Sequence, residues 1–362
     1  MQNKPQHIAV VILNYNGIGY LKQFLPYLYA TQYQSWNLYV ADNGSTDASM
    51  EFLYQENFIN YADFIKNGGD MVENSGGMDR YVIAMDKNRG YAGGYNEALL
   101  AQCIKADVYV LLNSDVEVSP FWLQKAMEAW EKHPTWEAMQ PKILDYKRKN
   151  YFEYAGAGGG LLDKWGYPFC RGRIFSQLEE DKGQYEDDCD IFWATGAALF
   201  IKQSTFRELN GFDTDYFAHM EEIDLCWRLQ LRGGTVGYGG QSQVWHVGGG
   251  TLSVENPQKT YLNFRNSLIT LLKNTAGAKV FWYIWIRLLL DGLAAAKFLA
   301  GGQFRNIWAI VRAHWSFFWQ LKTTLNKRKI IQSTAKKRVD LYPNSIVYQH
   351  FVKKINKYKE LP

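Results

Sequence analysis

Short apolar runs, each stopping on polar turn residues, constrain this chain more than any other feature. Residues 7–14 (HIAVVILN) are β-branched and apolar up to Asn14, residues 37–41 (NLYVA) stop at Asp42, and residues 107–112 (DVYVLL) stop at Asn113-Ser114-Asp115. Short runs without alternation belong to strands buried on both faces, as in a parallel sheet. Residues 81–85 read as another strand. Between the runs the spacing predicts helices over 20–29, from the caps at Ser45-Thr46-Asp47 to about Gln55, over 93–104 and over 120–131. This alternation predicts an α/β fold with a mostly parallel, Rossmann-like sheet and helices on both faces. Open sheets of this kind bind ligands at the carboxyl ends of their strands, where the polar residues gather.

Downstream the pattern thins. Residues 151–190 are rich in Gly and acidic residues and read as an inserted loop region. Residues 192–201 (FWATGAALFI) predict a strand, followed by a turn at Gly211-Phe212-Asp213, a helix over 221–231 and a strand ahead of His246. At 362 residues the chain fits one large α/β domain with an appendage.

Charge divides it further. Residues 1–258 hold 21 Lys and Arg against 33 Asp and Glu, whereas residues 259–362 hold 19 against 3. We therefore expect a catalytic domain over 1–258 and a basic, aromatic-rich helical tail over 259–362 that faces an acidic partner. The acidic front half and the absence of a recognisable nucleic-acid motif argue against nucleic acid. Residues 280–300 (VFWYIWIRLLLDGLAAAKFLA) are long enough to span a bilayer, but Arg287, Asp291 and Lys297 interrupt them. An interfacial helix is the expectation, with Trp282, Trp285, Trp308, Trp315 and Trp319 at headgroup level. Lys327-Arg328-Lys329 and Lys336-Lys337-Arg338 would add attraction to anionic lipid. The competing reading is a helical hairpin packed on the catalytic domain or on a second copy in a homo-oligomer. Cys103, Cys170, Cys189 and Cys226 form no CxxC pair and read as reduced thiols. The amino-terminal run, broken by Asn14, reads as a strand and not a signal peptide, which predicts a cytoplasmic protein, peripheral on the inner face of the cell membrane.

Three clusters carry candidate chemistry. Asn113-Ser114-Asp115 offers hard oxygen ligands of the kind a phosphate-bridging divalent cation needs, although such residues also cap helices. His246 follows a predicted strand and precedes three glycines that permit close backbone approach; an imidazole beside carboxylates favours manganese somewhat over magnesium. Glu221, Glu222 and Asp224 open a helix, where they complement its dipole and where one carboxylate can take a proton from an attacking hydroxyl. The segment 88–96 (NRGYAGGYN), with Asn88, Gly90, Gly93 and Asn96, is a glycine-rich helix opening suited to a sugar or phosphate. It is neither GxGxxG nor GxxxxGK[ST], so dinucleotide-binding and P-loop readings recede.

In order and spacing, VVILNYNG, VADNGSTD, NRGYAGGYNEAL, VLLNSDVEV, FWATGAALFI, GFDTDYFAHMEEIDLCWRL and VWHVGGGT resemble the family 2 inverting glycosyltransferases with the GT-A fold, most of all their rhamnosyltransferase-like branch. The resemblance covers roughly residues 7–272. It implies that Asp42 accepts a hydrogen bond from the donor's uracil or thymine, with Asn14, Asn43, Asn88, Gly90, Gly93, Asn96, Asn113 and Ser114 also on the donor side. It implies that Asp115 and His246 hold a divalent cation, Mn2+ or Mg2+, with Asn113 in place of a frequent Asp. Glu222 takes the place of the usual Asp base, Glu221 is a stand-in, and Asp224 orients Arg228. Trp193, Thr195 and Gly196 would line the acceptor side. The implied reaction is single displacement from a UDP- or dTDP-sugar to a hydroxyl of a saccharide acceptor. A membrane-facing tail makes that acceptor lipid-linked, as in cell-surface polysaccharide assembly. The rival reading is a non-catalytic sugar-nucleotide-binding protein with a decayed site.

Overall fold

The structure, a computed structural model, describes residues 6–67, 78–102, 104–248 and 256–362. In chain order the first strands are β1 (Ile8–Asn14), β2 (Trp36–Asp42), β3 (Ile59–Asn60), β4 (Arg80–Ala84), β5 (Val108–Asn113), β6 (Val116–Val118) and β7 (Trp136–Asp145). A small sheet follows in β8 (Gly160–Leu162), β9 (Pro168–Cys170), β10 (Arg173–Ile174) and β11 (Gln177–Leu178). Then come β12 (Cys189–Ile191), β13 (Ala198–Lys202) and β14 (Thr235–His246). The large sheet runs β12-β14-β7-β13-β5-β1-β2-β4-β3, with β6 pairing β14. Strands β5, β1, β2, β4 and β3 are parallel, β13 runs against both β5 and β7, and β14 lies parallel to β7.

The unbroken apolar runs are explained by the two faces. Ala9, Val11, Tyr39, Ala41, Tyr109 and Leu111 enter one core, and Ile8, Val10, Ile12, Leu38, Val40, Val108 and Val110 enter the other. With both faces covered, every position of a strand is apolar and only the strand ends are free to be polar. Register aligns those ends: Asn14 pairs with Asp42, and Leu13 with Asn113.

Two expected elements differ. The strand expected over 192–201 begins only at Ala198, because Thr195 ends the run in a turn: its hydroxyl accepts the Ala197 N–H at 3.2 Å, and its own N–H goes to Gln140 Oε1 at 2.9 Å. The helix expected over 93–104 starts at Gly90 and, after Asn96, widens into a π-helix over Glu97–Ala101. The buried Tyr109 hydroxyl takes up the carbonyl of Ile104 beyond it, at 2.7 Å. Cys170, Cys189 and Cys226 are free thiols; Cys103 lies outside the described residues.

The boundary expected after residue 258 falls inside a helix, Pro257–Asn274, that packs into the catalytic domain. Its buried side chains include Arg265, Asn266, Lys273 and Asn274. Three further helices, Lys279–Ala300, Phe304–Trp319 and Leu321–Thr334, wrap around it. The chain then returns to the small sheet, where Tyr342 and Leu162 are hydrogen-bonded and Asp163, its carboxyl pushed up to about 6 by burial, accepts the Ile346 N–H. Among the described residues no helix is long and apolar enough to cross a membrane.

Candidate active site

The polar strand ends meet at the carboxyl edge of the sheet. Asn14 donates to Asp42 Oδ2 at 2.9 Å, and Ser45 N–H caps Asp42 Oδ1 at 2.8 Å, so the Asp42 carboxylate is buried and held from two sides. Asn14 keeps a buried, unpartnered Oδ1. Asn43 is fully committed: it donates to Asn88 Oδ1 and the Gly90 carbonyl, both at 3.1 Å, and accepts Arg89 N–H at 2.9 Å. It thereby ties the end of β2 to the glycine-rich segment.

That segment corrects the expected reason for its glycines. Gly90, at φ +71°, abuts Phe217: a methyl group there would come within 2.6 Å of the Phe217 carbonyl oxygen. The close approach is to protein backbone, and Tyr91 N–H completes it by donating to the same carbonyl at 2.8 Å. A methyl group on Gly93 would meet Arg89 Cβ at 3.0 Å. Asn96 spends both ends of its amide on Phe212, at 2.8 and 2.9 Å, and so latches the turn at Gly211.

Beyond β5, Asp115 Oδ1 lies 3.2 Å from His246 Nε2 at the end of β14, and Asn113 Nδ2 lies 3.4 Å from the same nitrogen. The β6–β14 pairing brings them together, since His246 is opposite Val116. Burial opposes charge on the imidazole, but Glu153 and Asp115 outweigh it and lift His246 to about 10. Burial likewise would raise the Asp115 carboxyl, yet the imidazole holds it below the ordinary value. Glu153, which the sequence does not single out, approaches His246 Nδ1 at 3.5 Å from within the stretch that reads as an inserted loop region. Ser114 stands beside Asn14 across the Gly17 backbone. Gly249, Gly250 and Thr251 lie outside the described residues.

The acidic cluster begins the helix Glu221–Leu231, after a strained approach: Phe217, His219 and Met220 all have positive φ, at 63°, 68° and 74°. Non-glycine residues hold such angles only when their surroundings impose them. Here the helix Pro257–Asn274 does so. Asn266 Nδ2 lies within 3.1 Å of the carbonyls of Tyr216, Ala218 and His219, and Arg265 donates to those of Asp215 and Tyr216. Asp224 carries out its expected role, accepting Arg228 Nε at 2.8 Å, and also meets Lys273 and Asn274.

Glu221 is buried and Glu222 half-buried, and each retains an Oε2 without a partner. Burial, followed by the neighbouring Glu222 charge, raises Glu221 well above a normal carboxyl. Burial raises Glu222 to about 7, moderated by backbone N–H groups at the helix start. Tyr91 links this cluster to the rest. Its hydroxyl donates to the Gly196 carbonyl at 2.7 Å, and its ionisation is opposed first by burial and further by Tyr95 and the charges of Glu221 and Glu222. Gly196 is next to Ala197, whose carbonyl accepts Asn113 N–H at 3.0 Å. The sequence flagged the segment around Tyr91 but not this residue.

On the supposed acceptor side the expectations need correction at two positions. Trp193 is in the core, 4% exposed, with its indole N–H on the Leu161 carbonyl, so its ring face is covered by protein. Thr195 is buried and occupied in its turn. Gly196 alone of the three sits against Tyr91.

A mostly parallel sheet with buried polar strand ends and a carboxylate pair at a helix start is the arrangement of a GT-A fold. Residues 9–155, about two fifths of the chain, match Glycosyl transferase family 2. The chain is 24% identical over 243 residues to the N-acetylglucosaminyl-diphospho-decaprenol L-rhamnosyltransferase of Mycobacterium tuberculosis, covering 66% of this chain and 75% of that one. Residues 1–349 of S. aureus TarS, solved with UDP-GlcNAc, superpose with a TM-score of 0.52 at 11% identity, covering 91% of each chain. GalNAc-T7, solved with UDP, GalNAc and Mn2+, gives a TM-score of 0.50 at 13% identity; the match covers 75% of this chain but only 48% of that one.

Proposed function

We propose that this protein is an inverting glycosyltransferase that moves a hexosyl or deoxyhexosyl group from a UDP- or dTDP-sugar to a hydroxyl of a lipid-linked saccharide in cell-surface polysaccharide assembly. The observation that carries the reading is Glu222: a carboxylate with a free Oε2, at the start of a rigidly held helix, with its proton affinity raised to about 7. A base poised near neutrality is the most effective one at neutral pH. Glu222 accepts the proton of the acceptor hydroxyl as its oxygen bonds to the anomeric carbon. The bond from that carbon to the diphosphate breaks with its electron pair on the leaving group, and configuration inverts. Glu221, the more strongly protonated neighbour, keeps the pair from carrying two charges.

Asp42, Asn14 and Ser114 bind the donor. Asp115 and His246 suit a divalent cation, Mn2+ or Mg2+: an oxygen and a nitrogen 3.2 Å apart match adjacent ligands of one ion once the ion displaces the Nε2 proton, and Glu153 faces the far ring nitrogen. Among the described residues no third acidic, Cys or His group closes the site, which leaves positions for phosphate oxygens and water. When bound, the cation would neutralise the departing diphosphate. The relative's lipid-pyrophosphate substrate and the tail's basic charge support a peripheral location at the cytoplasmic membrane surface.

A panel of UDP-, dTDP- and GDP-sugars, screened with Mn2+ for donor hydrolysis and thermal shift, tests this reading. Turnover of one donor that disappears in Glu222→Gln is the expected result; tight donor binding without turnover, even with membrane lipid extract supplied, would point to a non-catalytic binder.

A further inference from the structure

Two helices beyond the catalytic domain are built inside out. On Lys279–Ala300 the buried stripe is Val280, Ile284, Arg287 and Asp291, at the i, i+4, i+7, i+11 spacing of one helix face. Arg287 donates to the carbonyls of Trp165 and Gly166 and to Ser267 Oγ, and Asp291 meets His314 Nε2 at 3.0 Å. The charges that interrupt the apolar run are therefore spent inward. The outward stripe is Phe281, Trp282, Trp285, Leu289 and Leu293, each more than half exposed, with the Trp282 and Trp285 rings stacked.

Phe304–Trp319 repeats the arrangement. Asn306 is buried on Thr260 Oγ1 at 3.0 Å, while Phe304, Trp308, Trp315 and Trp319 point outward at 63% exposure or more. Soluble proteins rarely show water a contiguous apolar surface beyond a few hundred Å2, and seven aromatic side chains each more than half exposed, at about 150–250 Å2 for a whole one, bring these two stripes past that. A membrane interface favours such Trp-rich faces.

The geometry points to this paired face as a membrane-docking surface that enters the interfacial layer of an anionic bilayer. Charge selects the occupant. From residue 279 to residue 322 every exposed charge is basic (Lys279, Lys297, Arg305, Arg312 and Lys322), and the only acid, Asp291, is buried. A second copy packed face to face would oppose like charges, whereas anionic headgroups satisfy them. Docking would fix the height of the acidic cluster as well, because Thr260 and Tyr261, which hold the second helix through Asn306 and Ser316, lie on the helix whose Asn266 pins the segment before Glu221.

The inference deepens the proposed location at a membrane and is tested without donor. The full-length protein is sedimented with phosphatidylcholine vesicles, with or without one third phosphatidylglycerol, beside Trp282→Ser/Trp285→Ser, Trp308→Ser/Trp315→Ser and, as a control on a different exposed aromatic, Tyr54→Ser. We expect pelleting with the anionic vesicles, partitioning about tenfold or more weaker in either double variant, and no change in the control. Equal pelleting of all variants, or none by the parent, would overturn it. So would a concentration-dependent dimer that the double variants abolish while vesicles go unbound. Vesicle binding without any sugar turnover would leave the docking surface standing and remove the transferase reading; turnover without vesicle binding would do the reverse.

Discussion

Lys273 Nζ lies 2.9 Å from Asp224 Oδ1, and both side chains are sealed from solvent. The same ammonium reaches Asp213, so one cation from the helix Pro257–Asn274 bridges two acids of the catalytic domain, with Arg228 as second partner of Asp224 and Lys327 of Asp213. Desolvated charges of this kind are stable only as a set.

Lys273→Met should therefore cost about 3–5 kcal/mol in chemical denaturation, since it removes the cation shared by two buried carboxylates. Burial would raise the Asp213 carboxyl, but Lys273 and then Lys327 hold it well below the usual range. The stability it contributes is present above its ordinary value of 3.8 and lost as pH falls below it, so the parent and Lys273→Met curves should converge in acid.

Glu222→Gln should lower kcat by about 10²–10⁴-fold with little change in donor affinity. In the parent, kcat should fall as pH drops through about 7, where Glu222 takes up its proton. The sign for stability is opposite. The folded carboxyl holds its proton more tightly than the unfolded one, so Glu222 destabilises the fold as pH rises from 4.5 through about 7. Glu222→Gln should melt above the parent at pH 8 and level with it below pH 4.5; a lower melting temperature at pH 8 would argue against a desolvated base.

Asp115→Ala and His246→Ala should each abolish the thermal stabilisation that Mn2+ adds in the presence of UDP, while leaving any metal-free shift from UDP in place. Glu153→Gln, which removes the charge facing the far ring nitrogen, should weaken the metal response by about 10–100-fold without eliminating it.

Gly90→Ala should destabilise by more than 1 kcal/mol, because the residue has positive φ and its new methyl would strike Phe217. Gly19→Ala, with open space around it, serves as the control.

The sheet was legible because strands covered on both faces leave a one-dimensional record: continuous apolar runs with polar ends. Asp42, Asp115 and the 221–224 cluster were legible for the same reason, being the residues at which such runs stop or a helix starts. Glu153 and Gln140 were not, since each acts through a long-range contact, with His246 and Thr195, that leaves no local spacing. Trp193 misled in the other direction: an aromatic beside a predicted turn reads equally as a sugar platform or as core, and only its burial against Gly160 decides. The positive φ angles before Glu221 are likewise invisible in sequence, being imposed by Asn266 from nearly fifty positions downstream.

That single amide gives the chain an architecture in which modules cannot be exchanged at the obvious seam. A recombinant joined after residue 258 would inherit the acidic cluster of residues 221–224 from one parent and its scaffold from the other, with three carbonyls waiting on a donor that has to match in register as well as type. Chimeras intended to swap the appendage for that of another transferase should therefore be spliced beyond Thr275, so that the helix Pro257–Asn274 travels with the active site.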